Sequence, residues 1–190
     1  MRVAKKHSLE PGTLGQAFID GRLAEGAATQ ERRLSDLAGC FRDSEAFKRQ
    51  VDKRDEVVYR VTSLSGGEAD GDLAYGLGVL YAGTIGDEYF LTKGHLHARR
   101  EAAEVYVGLG GSGAMLLQDE SGRNPRLAPL AAGGVVYVPG HTAHRTINTG
   151  DQPLVYIGVY PANAGHDYAA TDRSDFWPHV VATPNGPRLI

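Results

Sequence analysis

The chain reads as mainly β, a small barrel or sandwich, and three observations carry that expectation. From Glu56 onward, short β-branched and aromatic runs are punctuated by Gly and Asp. The turns Ser65-Gly66-Gly67-Glu68-Ala69-Asp70-Gly71-Asp72 and Gly110-Gly111-Ser112-Gly113 supply the positive-φ positions that hairpins demand. The length of 190 residues suits one buried core with a modest extension and is short for two catalytic domains.

Taken in order, residues 1–30 are rich in Gly, Ala and charge without a sustained period, which predicts an arm that wraps the core or a partner subunit. Residues 31–170 are expected to form the barrel domain. A short helix is expected over 44–52, capped by Asp43 or Ser44, with Phe47 and Val51 four apart on one face. Strands are expected at 57–64, 73–81, 88–97, 104–109, 114–118, 134–138 and 154–160. Residues 171–190 read as an extension packed on the barrel, with Asn185-Gly186 as a turn and the flanking Pro184 and Pro187 limiting regular pairing.

Composition narrows the function. A net charge of -3 with no Lys/Arg block speaks against nucleic acid or an anionic membrane as partner and favours a small soluble ligand. One cysteine, Cys40, has no internal disulfide partner. The N-terminal Met1-Arg2-Val3-Ala4-Lys5-Lys6-His7 is not followed by a signal-like apolar stretch, so a cytoplasmic protein is expected. No apolar run approaches the roughly 20 residues that cross a bilayer. The loop at Gly110 to Gly113 lacks the helix and Lys of a nucleotide loop.

Four of the seven histidines lie between His95 and His144, in Gly94-His95-Leu96-His97 followed by Glu104 and in Pro139-Gly140-His141-Thr142-Ala143-His144. On a strand His95 and His97 share a face and can share one cation, with Glu104 and His144 reaching it from neighbouring strands. His141, an odd number of residues from His144, faces away and reads as a turn or surface residue. His7 and His179 have no partner in sequence. Taken without further context, Tyr59, Tyr81, Tyr106, Tyr137 and Tyr160 read as strand residues, and Lys93 either steers an anion or is simply solvated.

These two phrases resemble the paired motifs of the cupin superfamily, small jelly-roll β-barrels that hold a divalent metal on three histidines and a glutamate. In the second motif Gly133, Pro139, His144 and Asn148 fall at matching intervals. In the first, six residues separate His97 from Glu104. Glu101 stands at the commoner cupin spacing and is the rival ligand. The longer spacing is similar to that of the cupin-type glucose-6-phosphate isomerases, which favours Glu104. Arg33-Leu34-Ser35-Asp36-Leu37, Gly113-Ala114-Met115-Leu116-Leu117-Gln118, Tyr137-Val138-Pro139, Ala143-His144-Arg145-Thr146 and Tyr160-Pro161-Ala162 with Ala164-Gly165-His166-Asp167-Tyr168 extend the likeness from Arg33 to Tyr168.

The resemblance implies a metal-dependent aldose-ketose isomerase of glycolysis and gluconeogenesis that interconverts glucose 6-phosphate and fructose 6-phosphate, by metal-assisted hydride shift or through a cis-enediol. The implied metal ligands are His95, His97, Glu104 and His144, around one divalent ion per subunit: iron(II) first, with manganese, nickel or zinc as alternatives. Glu104, Tyr160 and His166 are the implied catalytic residues. With no Arg-rich pocket in the sequence, Tyr59, Thr92, Gly94 and Tyr168 are the implied phosphate contacts. The family often carries Thr where this chain has Gly78, which implies one phosphate hydroxyl fewer, hence weaker phosphate binding or a compensating water. A homodimer is expected by the same analogy. The alternatives are another cupin metalloenzyme, dioxygenase or epimerase-like, and a non-catalytic sugar-phosphate-binding cupin.

Overall fold

A computed structural model describes residues 27–190 apart from Ser174. Most of the 1–30 arm, His7 included, therefore lies outside the described residues. Its last three positions open an edge strand, Ala28–Arg33 (β1), that no hydrophobic period announces, since Ala-Thr-Gln-Glu-Arg-Arg has no large apolar side chain to bury. Helix α1 (Ser44–Lys53) follows, its first turn closed by the Asp43 carboxylate accepting from Ala46 N at 2.8 Å. Glu45 in its first turn and Lys53 in its last suit the helix dipole, and Phe47 and Val51 pack half-buried on the core.

The ladder strands are β2 (Val57–Ser65), β3 (Leu73–Leu80), β4 (Thr84–Ile85), β5 (Glu88–Tyr89), β6 (Glu104–Gly110), β7 (Ser112–Asp119), β8 (Arg126–Ala131), β9 (Val135–Val138), β10 (Thr142–Asn148), β11 (Leu154–Pro161), β12 (Val180–Thr183) and β13 (Gly186–Leu189). All pair antiparallel, in a six-stranded sheet of order β1-β2-β3-β11-β6-β9, a three-stranded sheet β10-β7-β8 and a four-stranded sheet β13-β12-β5-β4. Leu80, Leu154 and Tyr156 of the largest sheet and Met115, Leu117 and Leu130 of the three-stranded one share a single buried cluster. Fully burying each such aliphatic side chain is worth about 1.5–3 kcal/mol. The mainly β barrel is thus as expected, and among the described residues no helix is long and apolar enough to cross a membrane.

Several further elements differ from expectation. Instead of a strand over 88–97, only Glu88–Tyr89 joins a ladder, while Leu91, His95 and Leu96 make isolated bridges to Ile147, His144 and Asp167. The chain changes partner between His95 and Leu96, next to Gly94 at φ 76. Strands β8 and β10 carry no clear apolar alternation: Pro129 sits in β8, tolerated because β8 is an edge strand, and β10 buries polar residues, His144, Arg145, Thr146 and Asn148. At the C-terminus the prolines do not prevent pairing. Val180↔Leu189, Val181↔Arg188, Ala182↔Pro187 and Thr183↔Gly186 form a regular hairpin, since Pro187 lies on the edge strand β13 and Pro184 in the turn.

Asn148 ends β10 fully buried and joins the sheets: its Nδ2 donates to Leu80 O at 2.8 Å and Gln152 O at 2.9 Å, while Oδ1 accepts from Gly150 N at 2.9 Å. Asn148→Ala leaves all three backbone partners short of a bond. Urea unfolding is expected to show a loss of about 2–4 kcal/mol with an unchanged m-value.

Candidate metal centre

Side-chain alternation builds the centre. Glu104 leads β6, an inner strand of the six-stranded sheet, and His144 sits in β10 of the three-stranded one, so the two ligands come from different sheets. The His95–His144 bridge, with His95 N to His144 O at 3.1 Å and His144 N to His95 O at 3.0 Å, brings the Gly94-His95-Leu96-His97 phrase alongside β10. One ligand atom from each of His95, His97, Glu104 and His144 then falls within 4.8 Å of all the others. Ligands about 2.0–2.2 Å from a shared cation lie roughly 3.0–4.4 Å apart, so the cluster needs little adjustment to close on one ion.

The donor chemistry fits as well. His97 Nδ1 lies 2.9 Å from Ala102 O and His144 Nδ1 3.1 Å from Thr142 O, contacts that place the imidazole proton on Nδ1 and turn the Nε2 lone pair inward. Both Nε2 atoms then face Glu104 Oε2, at 3.3 Å and 3.1 Å. Lone pairs opposed to a carboxylate at that range call for a proton or a cation between them. The Nε2 atoms of His95 and His97 are buried without a hydrogen-bond partner, the condition of ligand nitrogens. Gly158 leaves the space that Glu104 needs, since a Cβ there would stand 2.6 Å from Oε1.

The electrostatics are those of a cluster that, with no ion bound, takes up a proton between its carboxylate and imidazoles. Burial would raise the Glu104 carboxyl, but His144 and His97 outweigh it and hold it at about 2. Burial holds His95 well below the usual imidazole range, helped by His144, His166 and His97, so it stays neutral. Burial lowers His97 too, yet Glu104 and the Ala102 carbonyl leave it raised. Glu101, the rival ligand, is exposed. His141 stands apart at φ 59, exposed and paired with Glu120. His179, without a partner in sequence, meets buried Glu88 at 2.7 Å.

His95, Glu104 and His144 line a cavity of about 370 Å³ together with Tyr59, Thr92, Gly94, Tyr160, His166 and Tyr168. His166 and Tyr168 arrive on a strap, 164–168, that pairs with the first histidine phrase through Asp167 N to Leu96 O at 2.7 Å and Arg99 N to Ala164 O at 2.8 Å. Arg100 fastens it by donating to Asp167 Oδ2 and to His97 O. The His166 ring lies 4.4 Å from His95 and stacks on Tyr168. Burial pushes the Tyr59 phenol up to about 12, which keeps it a neutral donor. Gly78 does not line the cavity; the Tyr156 ring does. Tyr106, expected only as a strand residue, joins the cavity wall with Thr146 and Tyr156, for which the sequence suggested no site role, although each stands two or four positions from an inward residue, Glu104, His144 or Tyr160.

Because the ligands bridge two sheets, a bound ion stabilises the whole barrel. At about a hundredfold excess over its dissociation constant the gain is about 2.7 kcal/mol, so chelation is expected to lower the melting temperature by roughly 5–10 °C. In His144→Ala that difference should vanish in differential scanning calorimetry.

Residues 31–176 match the profile of the family described as Glucose-6-phosphate isomerase (GPI). A glucose-6-phosphate isomerase of Pyrococcus horikoshii is 48% identical over 168 residues, 88% of each chain. A putative glucose-6-phosphate isomerase 2 of Rhizobium meliloti is 37% identical over 185 residues, 95% of this chain and 92% of the relative. Among solved structures, an oxalate decarboxylase of Bacillus subtilis superposes with a TM-score of 0.44 at 22% identity, over 60% of this chain and 28% of that one. With its sequence matched along most of its length, the chain belongs to the glucose-6-phosphate isomerase family.

Proposed function

We propose that the protein interconverts glucose 6-phosphate and fructose 6-phosphate with a divalent ion held by His95, His97, Glu104 and His144. The observation that carries this reading is that ligand residues and neutral hydroxyl donors line one cavity, of a volume ordinary for a small-molecule site. Family membership makes the chain an aldose-ketose isomerase. Three imidazoles with one carboxylate suit iron, manganese, nickel or zinc, and iron(II) is the first ion to test.

When bound, the ion supplies a Lewis acid for the oxygens at C1 and C2 of the opened sugar. The chain's own residues do the rest. Tyr59, Thr92, Gly94 and Tyr168 hold the phosphate through hydroxyl and backbone donors, and Tyr160 and His166 orient the sugar beside the ligands. Glu104 has Oε2 turned to His97 and His144, which leaves Oε1 on the side of Gly158. A Glu104 that moves the proton between C2 and C1 exchanges it with solvent; a Glu104 that serves only as ligand leaves the hydrogen to pass directly between the carbons.

Chelator-stripped protein is expected to lack fructose 6-phosphate turnover and to regain it with iron(II), manganese, nickel or zinc, whereas His144→Ala stays inactive with each. In deuterium oxide, label appearing at C2 of the product marks proton transfer and its absence the hydride shift. No turnover despite bound ion would move the protein to another cupin chemistry or to sugar-phosphate binding without catalysis.

The reading includes a homodimer. On the outer face of the six-stranded sheet Val105, Val107, Val155, Ile157 and Val159 stand in register beside Tyr137, which is 62% exposed. Leu109 and Val135 are more than half exposed. A face free of charge on three neighbouring strands suits a second copy of itself related by a two-fold axis. Sedimentation equilibrium is expected to return twice the chain mass of 20.3 kDa, and Val107→Glu to shift it toward monomer.

A further inference from the structure

Gly78 has no side chain, and the neighbouring strand fills its place. Gly78 is paired with Tyr156 across β3 and β11, and a Cβ on Gly78 would stand 2.6 Å from the Tyr156 phenol oxygen and closer still to the ring. The ring that uses this space is 6% exposed and lines the same cavity as the metal ligands. Its hydroxyl lies 2.9 Å from Thr146 Oγ1, and Thr146 Oγ1 lies 3.1 Å from Thr92 Oγ1. Thr92 Oγ1 also accepts from Thr146 N at 3.0 Å. Three hydroxyls, from β11, β10 and the 90–97 segment, thus form one row along the cavity wall.

We infer that this row is a donor relay, Tyr156 to Thr146 to Thr92, that aims the Thr92 hydroxyl proton at the substrate phosphate, and that Gly78 is there to admit the phenol that starts it.

Counting protons gives the direction. Each hydroxyl brings one hydrogen, two contacts use two of them, and one hydrogen remains to be donated outward from one end. A phenol is a stronger donor than an aliphatic alcohol, so Tyr156 donates to Thr146 and Thr146 to Thr92. The free hydrogen is then on Thr92, the least buried of the three. Burial raises the Tyr156 phenol, so it remains protonated and the relay keeps its polarity. An anionic acceptor at Thr92 reinforces each bond behind it, since hydrogen bonds in series polarise one another in a medium of low dielectric. Tyr156 is on this account a positioning residue: it acts on the phosphate through Thr92. The inference rests on the proposed placement of the phosphate at Thr92 and supplies, from Tyr156, a hydroxyl that position 78 does not.

The test is Tyr156→Phe in the metal-loaded protein, with Thr146→Val as a second break in the same row and Thr92→Val as the reference for the phosphate contact. Tyr156→Phe is expected to raise KM for fructose 6-phosphate roughly fivefold to tenfold with kcat within about twofold, and to weaken inorganic phosphate, titrated calorimetrically, by the same factor. Thr146→Val should reproduce this, and Thr92→Val should equal or exceed it. A merely structural hydroxyl would lower the melting temperature and leave KM and phosphate affinity alone. If Thr92→Val weakens phosphate while the folded Tyr156→Phe and Thr146→Val proteins do not, the relay is wrong and the phosphate placement stands. If none of the three changes phosphate affinity or KM, the placement at Thr92 fails and the relay with it. Should the unaltered protein lack turnover, the calorimetric titration alone decides the relay.

Discussion

Everything around the cavity depends on one crowded contact, a buried carboxylate and three imidazoles, two buried and one half-buried, with their acceptor atoms facing inward. Glu104 is 4% exposed, and a bare carboxylate at that depth would be costly. His97 and His144 relieve it only if something positive lies between them, because the Ala102 and Thr142 carbonyls already claim their other ring nitrogens. His95, neutral and with its Nε2 without a hydrogen-bond partner, adds a third lone pair and no charge. A single proton can satisfy one pair of these atoms; a divalent ion can satisfy all four. That difference is why the cluster reads as a centre for a cation and not as a buried ion pair.

The fold divides the work between rigid and less regular parts. Glu104 and His144 belong to ladder strands of two different sheets, where register fixes side-chain direction. Residues proposed as sugar-phosphate contacts come partly from segments that have left the ladders: Thr92 and Gly94 on the stretch that only bridges β10, and His166 and Tyr168 on the strap held by Arg100. Glu104 and His144 thus tolerate no slip of the strands, while His95 and His97, like Thr92 and Gly94, sit on the bridged stretch and depend on its pairing with β10 and the strap.

Much of this was legible in the sequence, and the gaps have physical causes. The helix, its Asp43 cap and most ladder strands follow from period and turn chemistry, while the family resemblance singled out Glu104 over Glu101 for the four-residue cluster that the fold brings together. Strand β10 escaped because its buried positions are polar; its side chains serve the centre and the sheet joint at Asn148 instead of an apolar core. Strand β1 escaped because an edge strand can be held by backbone bonds alone. The 88–97 run looked continuous because composition does not record a change of pairing partner. Tyr106, Thr146 and Tyr156 were within reach, since alternation from each ligand points at them, but a strand tyrosine or threonine has no signature until the opposite wall is known. The consequence of Gly78 was the least legible, because the group that fills its space lies 78 positions away in sequence, at Tyr156.

The absence of an arginine cluster then becomes intelligible. Arg145 is buried and lines the cavity wall between His144 and Thr146, with its guanidinium already engaged there. Its guanidinium lies 4.3 Å from the Trp177 ring centre and donates to Lys93 O. Gly94, whose Cβ would collide with Trp177 and come within 2.9 Å of Arg145 Nε, closes that stack. The cation therefore braces the Lys93–Gly94 turn and at the same time forms part of the cavity wall. A phosphate held by hydroxyls and backbone N–H groups is held by direction more than by charge. Under the proposed function the phosphate is a handle whose orientation is set by the row of hydroxyls at Thr92, while the Arg145 cation in the same wall is held by Trp177 and the Lys93 carbonyl.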